Sequence, residues 1–254
     1  MARVLVTGST AGIGREIARQ LLAAGHQVVG HARSPERADQ VRAVLPGLSD
    51  VVVGDLASLA ATRAVAQAAG AHGPFDAVVH NAGVGGGSPE KVLTADGLER
   101  IHQINTVAPY LLTALLPRAR RYVFTTSGLQ ANGYAEPDEI EWPWDGMQAY
   151  ADSKLQDVML ALAVARLWPD VVSNAVDPGW IRTRLGGPNA TDDLEPGADT
   201  QVWLATSDDP QALVGGRYLK RRQVLEPNPQ ALDVDLQDRL LARLAEQTGV
   251  ALSR

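Results

Sequence analysis

The chain of 254 residues has no cysteine, a formal net charge of −6, 45% apolar residues and 20% charged ones. This make-up is that of an ordinary globular protein; it excludes disulfide frameworks, thiolate nucleophiles and Cys-ligated metal centres, and its acidic balance argues against a nucleic-acid surface. The longest apolar run, Val158 to Ala165, cannot cross a bilayer, and the run Val4-Leu5-Val6 before the first glycine is too short for a secretory signal, so a soluble cytoplasmic protein is expected.

Short apolar runs alternate with helical patterns throughout. Val4-Leu5-Val6 precedes a helix from Ile13 to Ala24, with Ile13, Ile17, Leu21 and Leu22 on one face and Gly25 as its stop. Val28-Val29 is a second strand, and Ser34-Pro35 open the next helix as N-cap and first residue. Val51-Val52-Val53 and a helix from Ser58 to Ala71 follow, then Ala77-Val78-Val79 and a glycine-rich loop, Gly83 to Gly87. Leu98 to Leu116 reads as one long helix bent by Pro109. Tyr122-Val123-Phe124, a helix from Gln148 to Leu167 and a strand from Val171 to Val176 complete the pattern. Strands this continuously apolar are buried on both faces. The expected fold is therefore α/β: one Rossmann-like, doubly wound parallel sheet of about seven strands with helices on both faces, spanning residues 1–254 as a single domain.

Gly8, Ser9, Thr10, Gly12, Ile13 and Gly14 form a turn between the first strand and its helix. Glycines there permit tight geometry and close approach of a pyrophosphate, which the free N–H groups and the helix dipole would hold. A glycine-rich turn that binds nothing is the plainer alternative.

The spacing resembles that of the short-chain dehydrogenase/reductase family, and further motifs of that family follow in order. Asn81-Ala82-Gly83 follows the fourth strand, Asn105 lies in the long helix, Ser127 ends the fifth strand, Tyr150-Ala151-Asp152-Ser153-Lys154 gives Tyr-x-x-x-Lys, and Pro178-Gly179 follows the sixth strand. The resemblance implies a nicotinamide cofactor at the glycine turn, with contacts from Asn81, Ala82, Gly83, Tyr150, Lys154, Pro178, Gly179, Ile181 and Thr183. It also implies a catalytic set of Asn105, Ser127, Tyr150 and Lys154. Asp55-Leu56 is similar to the family's adenine-contacting pair, although Asp55 also suits the start of the following helix. The second strand ends in His31-Ala32-Arg33 with no acid to bind ribose hydroxyls. Arg33 suits a 2′-phosphate or is a solvated loop residue; with the carboxylate missing, NADP(H) is favoured and NAD(H) is the other option.

Tyr150 and Lys154 share one helix face. Reduction of a carbonyl by hydride leaves an alkoxide that needs a proton, and a phenol of pKa about 10 is a poor donor near neutrality. An ammonium at ~4 Å in an effective dielectric of ~20 supplies the ~4 kcal/mol needed to bring a phenol near pH 7. Ser127 would hydrogen-bond the oxygen as charge develops. In the resemblance, Lys154 also holds the nicotinamide ribose and Asn105 anchors a water. His26, His31, His72, His80 and His102 show no ligand spacing with acids, so no metal is expected. His80 replaces an asparagine common in the family and reads as a tolerated change at a strand end.

Ser127 and Tyr150 stand farther apart than in most members, and with Leu155 and Arg33 this resembles the retinol-dehydrogenase-like and bacterial ketoreductase branch. Trp142, Trp144 and Met147 either line an apolar substrate cleft or pack the inserted loop. Residues 182–197 would be a mobile lid, residues 220–254 a tail with a helix from Leu236 to Gln247, and Lys220-Arg221-Arg222 a solvated edge. The expected activity is NADP(H)-dependent oxidation or reduction of a small carbonyl/alcohol pair. The alternatives are an NAD-linked alcohol dehydrogenase and a non-catalytic NADP(H)-sensing regulator on the same fold. The family pairs as dimers or tetramers through helices at 98–116 and 148–167, so a homodimer or homotetramer is possible by resemblance, with neither nucleic acid nor membrane as partner.

Overall fold

The structure, a computed structural model, describes residues 1–136 and 143–253. Its strands are β1 (Arg3–Val6), β2 (Gln27–Ala32), β3 (Asp50–Val53), β4 (Ala77–His80), β5 (Arg121–Thr125), β6 (Val172–Val176), β7 (Arg217–Lys220) and β8 (Gln223–Leu225). Its helices are α1 (Gly12–Ala23), α2 (Pro35–Val44), α3 (Leu59–Gly70), α4 (Arg100–His102), α5 (Ala108–Leu115), α6 (Gly146–Leu167), α7 (Leu194–Thr206) and α8 (Val234–Thr248). One sheet carries all the strands in the order β3-β2-β1-β4-β5-β6-β7-β8. Neighbours are parallel from β3 to β7, and β8 is antiparallel to β7. The expected parallel sheet is thus present with one strand more than anticipated; β8 is short, exposed and polar at its start, and gives no apolar run to read.

Alternation along the strands builds two cores. Val4, Val6, Val28, Ala77, Val79, Val123, Val176 and Leu219 point to one face, where Ile17 and Leu21 of α1 and Trp203 and Leu204 of α7 cover them. Leu5, Val29, Val78, Tyr122, Phe124 and Ala175 point to the other, under α3, α5, α6 and α8. Each strand is therefore apolar at successive positions, because both faces are dry. Strand order reverses beside β1, with β2 on one side and β4 on the other, which opens a crevice at the carboxyl ends of β1 and β4.

Local chemistry places the helix ends. Ser34 Oγ accepts from Arg37 N with Pro35 in the first turn, Ser58 Oγ accepts from Ala61 N, and Asp145 Oδ1 accepts from Met147 N at 2.8 Å. The helix expected over 98–116 is not continuous: α4 is a single turn, Gln103–Val107 forms a π-turn, and α5 begins beyond it with Pro109 in its first turn. Pro109 has no N–H for the carbonyl four residues back, that of Asn105, and the wider turn absorbs the missing bond. The proposed lid also ends sooner than expected, since α7 starts at Leu194.

Lys220-Arg221-Arg222 lies at the solvated sheet edge, as expected, where Lys220 ends β7 and Arg221-Arg222 turn into β8. Sequence reasoning missed that each base also meets one acid: Lys220 meets Asp177 at 2.9 Å, Arg221 meets Asp192 at 3.4 Å, and Arg222 meets Asp199. The partners lie after β6, in the segment before α7, and on α7 itself. Arg221 and Arg222 both have positive φ, 50° and 60°.

Candidate active site

The glycine turn sits at the crevice. Gly8 has φ +64°, and a Cβ there would stand 2.8 Å from the Ala82 Cα, so only glycine fits. A Cβ on Gly14 would overlap both the Asn81 amide and the Gly8 carbonyl. Asn81 straps the turn, its Nδ2 donating to Thr7 O at 3.0 Å while its N–H donates to Thr7 Oγ1 at 2.9 Å. Ala82 N donates to the same hydroxyl at 3.0 Å. Ala11, which precedes α1, has no capping side chain, so the N–H groups of the first turn, at Gly12, Ile13 and Gly14, keep no intrahelical acceptor. Thr10, Gly12 and Ile13 border the opening, whereas Ser9 is buried and its hydroxyl accepts from His31 N at 2.9 Å.

Sequence reasoning gave His31 no part in this region. Its buried ring accepts from Gly8 N–H at Nδ1 (3.1 Å) and donates from Nε2 to Gly54 O (2.9 Å), tying the turn to the end of β3. Burial holds its pKa below the usual value, and the two bonds require the neutral ring. Just beyond β2, Arg33 is exposed and has no hydrogen bond or ion pair among the described residues. Asp55 is exposed, and its Oδ1 accepts from Ala57 N at 3.0 Å. Leu56 is buried in the core, so its side chain is turned away from the crevice.

On the other side of the switch point, the π-turn carries Asn105, whose side chain is fully engaged. Its Oδ1 accepts from Val84 N at 2.8 Å, and its Nδ2 donates to Val84 O and to Ser153 Oγ, both at 3.0 Å. Gly83 follows; a Cβ there would lie 3.3 Å from Asn105 Oδ1 and 3.7 Å from Lys154 Nζ. Ser127 lies two residues beyond β5, half-buried, with its hydroxyl accepting from Leu129 N. Tyr150 and Lys154 lie one turn apart on α6, the Nζ 5.7 Å from the centre of the Tyr150 ring. Lys154 is buried; it donates to Thr125 O at 3.0 Å and to Asp157 Oδ2 at 2.7 Å. Burial works against the ammonium, but the Asp157 carboxylate and then Tyr150 outweigh it and hold the lysine above its ordinary pKa. Burial pushes Asp157 up to about 6, against the attraction of Lys154. Their contact at 2.7 Å is what offsets the cost of burying both groups. Asp157 was not among the sequence candidates, although an acid inside an otherwise apolar stretch of helix, three residues after a lysine, was a readable sign of a buried pair.

The segment after β6 folds back over both halves. Pro178-Gly179 leads out of the sheet, with Gly179 N donating to Asp177 Oδ1 at 2.8 Å. Ile181 is buried and bridges to Asp192. Thr183 reaches the glycine turn, its Cγ2 lying 3.2 Å from where a Gly12 Cβ would stand, and Leu185 comes equally close to Gly85. Trp144 donates from Nε1 to Ser88 O at 3.2 Å and so anchors the loop after β4. Met147 and Trp180 remain about half exposed, and Trp142 lies outside the described residues. His80, at the end of β4, is fully buried against the Phe124 ring at 4.7 Å. Its Nε2 donates to Thr113 Oγ1 (2.9 Å), whose own proton goes to Pro109 O; its Nδ1 has no partner. Among the described residues no group of His, Cys, Asp and Glu could hold a metal ion, and no helix is long and apolar enough to cross a membrane.

Residues 2–193 match the family model of the short chain dehydrogenases. The chain is 40% identical to the short-chain dehydrogenase chyC of Penicillium rubens over 99% of each sequence. It is 30% identical to retinol dehydrogenase 14 of Homo sapiens, over 91% of this chain and 81% of that one. Among solved structures, a blue fluorescent protein from a metagenomic library, in complex with NADPH, superposes with a TM-score of 0.69 at 26% identity, covering 86% of this chain and 95% of the other. The glycine turn, the Tyr150–Lys154 pair and these likenesses over nearly the whole length lead to one conclusion: the chain belongs to the short-chain dehydrogenase family and is an oxidoreductase.

Proposed function

We propose that the protein is an NADP(H)-dependent oxidoreductase that interconverts a carbonyl and an alcohol, with Tyr150 as the proton donor and acceptor. The observation that carries this reading is the buried Lys154 ammonium beside the Tyr150 ring, at the edge of a crevice whose opposite wall presents the free N–H groups at the start of α1. Those N–H groups and the helix dipole fit a pyrophosphate. Arg33, exposed and unpaired among the described residues, fits a 2′-phosphate, and no carboxylate at the end of β2 competes for ribose hydroxyls. The NADPH of the metagenomic relative supports the same cofactor. When bound, the cofactor supplies the hydride.

The remaining work falls to this chain's residues. Ser127 donates to the substrate oxygen and holds it beside the Tyr150 phenol, which delivers the proton in reduction and takes it in oxidation. The Lys154 ammonium favours the phenolate and, with one N–H left over after Thr125 and Asp157, holds a ribose hydroxyl. Asn105 braces the loop at Val84 and would anchor a water for proton return. Pro178, Gly179, Ile181 and Thr183 close the nicotinamide side, and Asp55 takes the adenine edge. Met147, Trp180 and Leu185, about half exposed, offer an apolar wall to the substrate.

Tyr150→Phe tests the reading. NADPH affinity should persist while turnover with a panel of ketones and aldehydes falls by about 10²-fold or more, the range of a lost general acid. Turnover within tenfold of the parent refutes Tyr150 as the acid, whereas a parent that binds NADPH but turns over none of the panel favours the cofactor-sensing alternative.

A further inference from the structure

The Lys154–Asp157 pair goes beyond what Tyr-x-x-x-Lys requires. Both side chains are buried, with exposures of 6% and 4%, and their charged atoms are 2.7 Å apart. An ammonium has three N–H donors; Asp157 takes one and Thr125 O another, so the amine is held from two sides before any ligand arrives. Asp157 follows Lys154 on α6 and Tyr150 precedes it, so the acid and the phenol lie on opposite sides of the amine along the helix axis. We infer that Asp157 is a positioning residue: its carboxylate clamps Lys154 at Thr125 and partly cancels the positive charge that Tyr150 feels. This rests on the oxidoreductase reading above.

The other ionisable groups on elements packed around α6 are occupied elsewhere. His102 lies between Gln156 Oε1 and Gln247 Oε1. Asp177 is paired with Lys220, and Asp152 accepts from Tyr134 N and from Gln148 Nε2. Arg166 is paired with Asp238 on α8. Asp157 and Tyr150 are the charges that face the amine.

A cancelling charge has a measurable signature. Seven residues of helix separate Asp157 from Tyr150, roughly 10 Å along the axis. A unit charge at that distance, in an effective dielectric of about 20, moves a titration midpoint by about one pH unit. Asp157→Asn keeps the shape and an oxygen acceptor for Lys154 but removes the charge. The alkaline-rising limb of kcat/KM for alcohol oxidation should then move about one pH unit toward acid. Asp157→Leu removes the clamp as well; Lys154 is released from its place, and NADPH binding measured by fluorescence titration should weaken by about tenfold, the loss of one charge-assisted bond. Both variants are compared with Tyr150→Phe under the same conditions.

If Tyr150→Phe abolishes turnover but Asp157→Asn leaves the midpoint within 0.3 unit (about twofold in proton concentration) and Asp157→Leu binds NADPH unchanged, the acid is a structural salt bridge and the inference is overturned. If Tyr150→Phe retains turnover, the function reading has failed instead. Should Asp157→Leu fail to fold, the Asp157→Asn profile alone decides.

Discussion

Lowering the pH from 7.5 to 5.0 puts the buried His80 ring to a quantitative test. Burial among Phe124, Tyr122 and Thr113 lowers its pKa to about 3, and its Nδ1 has no partner to receive a proton's charge. An unfolded histidine titrates near 6.5. Because the folded value lies below the unfolded one, the unfolded chain takes up the proton first. The neutral ring's contribution is complete above about pH 6.5 and is lost as the pH falls from there toward 3. Integrating between pH 7.5 and 5.0 gives a loss of about 2 kcal/mol from this one group. For a chain of this size that is about 4–8 °C in melting temperature. Urea unfolding at the two pH values, for the parent and for His80→Asn, isolates the term, since His31 and every carboxylate contribute alike to both proteins. The variant's absolute stability is irrelevant; only its pH slope is read. If parent and variant lose the same stability on acidification, the ring is not held neutral by burial and the reasoning is refuted.

Three further outcomes follow from the geometry. Arg33→Ala should lower the preference for NADPH over NADH by about 10–100-fold, the worth of a charge-assisted phosphate contact, and kcat/KM with each nicotinamide measures it; an unchanged ratio assigns Arg33 to solvent. Gly14→Ala forces a methyl into the Asn81 amide and the Gly8 carbonyl; a destabilisation of about 1–3 kcal/mol with loss of NADPH binding is expected by calorimetry, and a well-folded variant that still binds would show the turn to be pliable. Lys220→Ala leaves the buried Asp177 carboxylate without its cation; because Lys220 is itself partly exposed, about 1–3 kcal/mol is expected in urea unfolding, and a change below about 0.5 kcal/mol would show the pair to be a solvent-screened contact that adds nothing to stability.

Much of this arrangement was legible because it is local. Two-faced burial makes strands such as Val4-Leu5-Val6 and Ala77-Val78-Val79 continuously apolar, and Ser34-Pro35 and Gly25 mark helix ends by their own backbone chemistry. Lys154 could be placed near Tyr150 because helix geometry fixes residues four apart. The π-turn was not legible: Gln103–Val107 keeps the apolar pattern of an α-helix, and only the lost Pro109 bond distinguishes it. The work of His31 was equally hidden, since its partners Gly8 and Gly54 come together only when β1, β2 and β3 align. The basic triplet is solvent-facing as read, but its acid partners were hidden, because Asp177, Asp192 and Asp199 are brought to it by the chain's long return to the sheet edge.

Arg221 and Arg222 of that triplet form a two-residue hairpin turn in which both adopt positive φ, a backbone for which Asn-Gly is the favoured pair. Arginine adopts this conformation at a cost of about 1–2 kcal/mol per residue. In place of that pair stand two long cationic arms that reach Asp192 and Asp199, tying the sheet edge to the start of α7. Both pairs are partly exposed, so the tie weakens as salt rises.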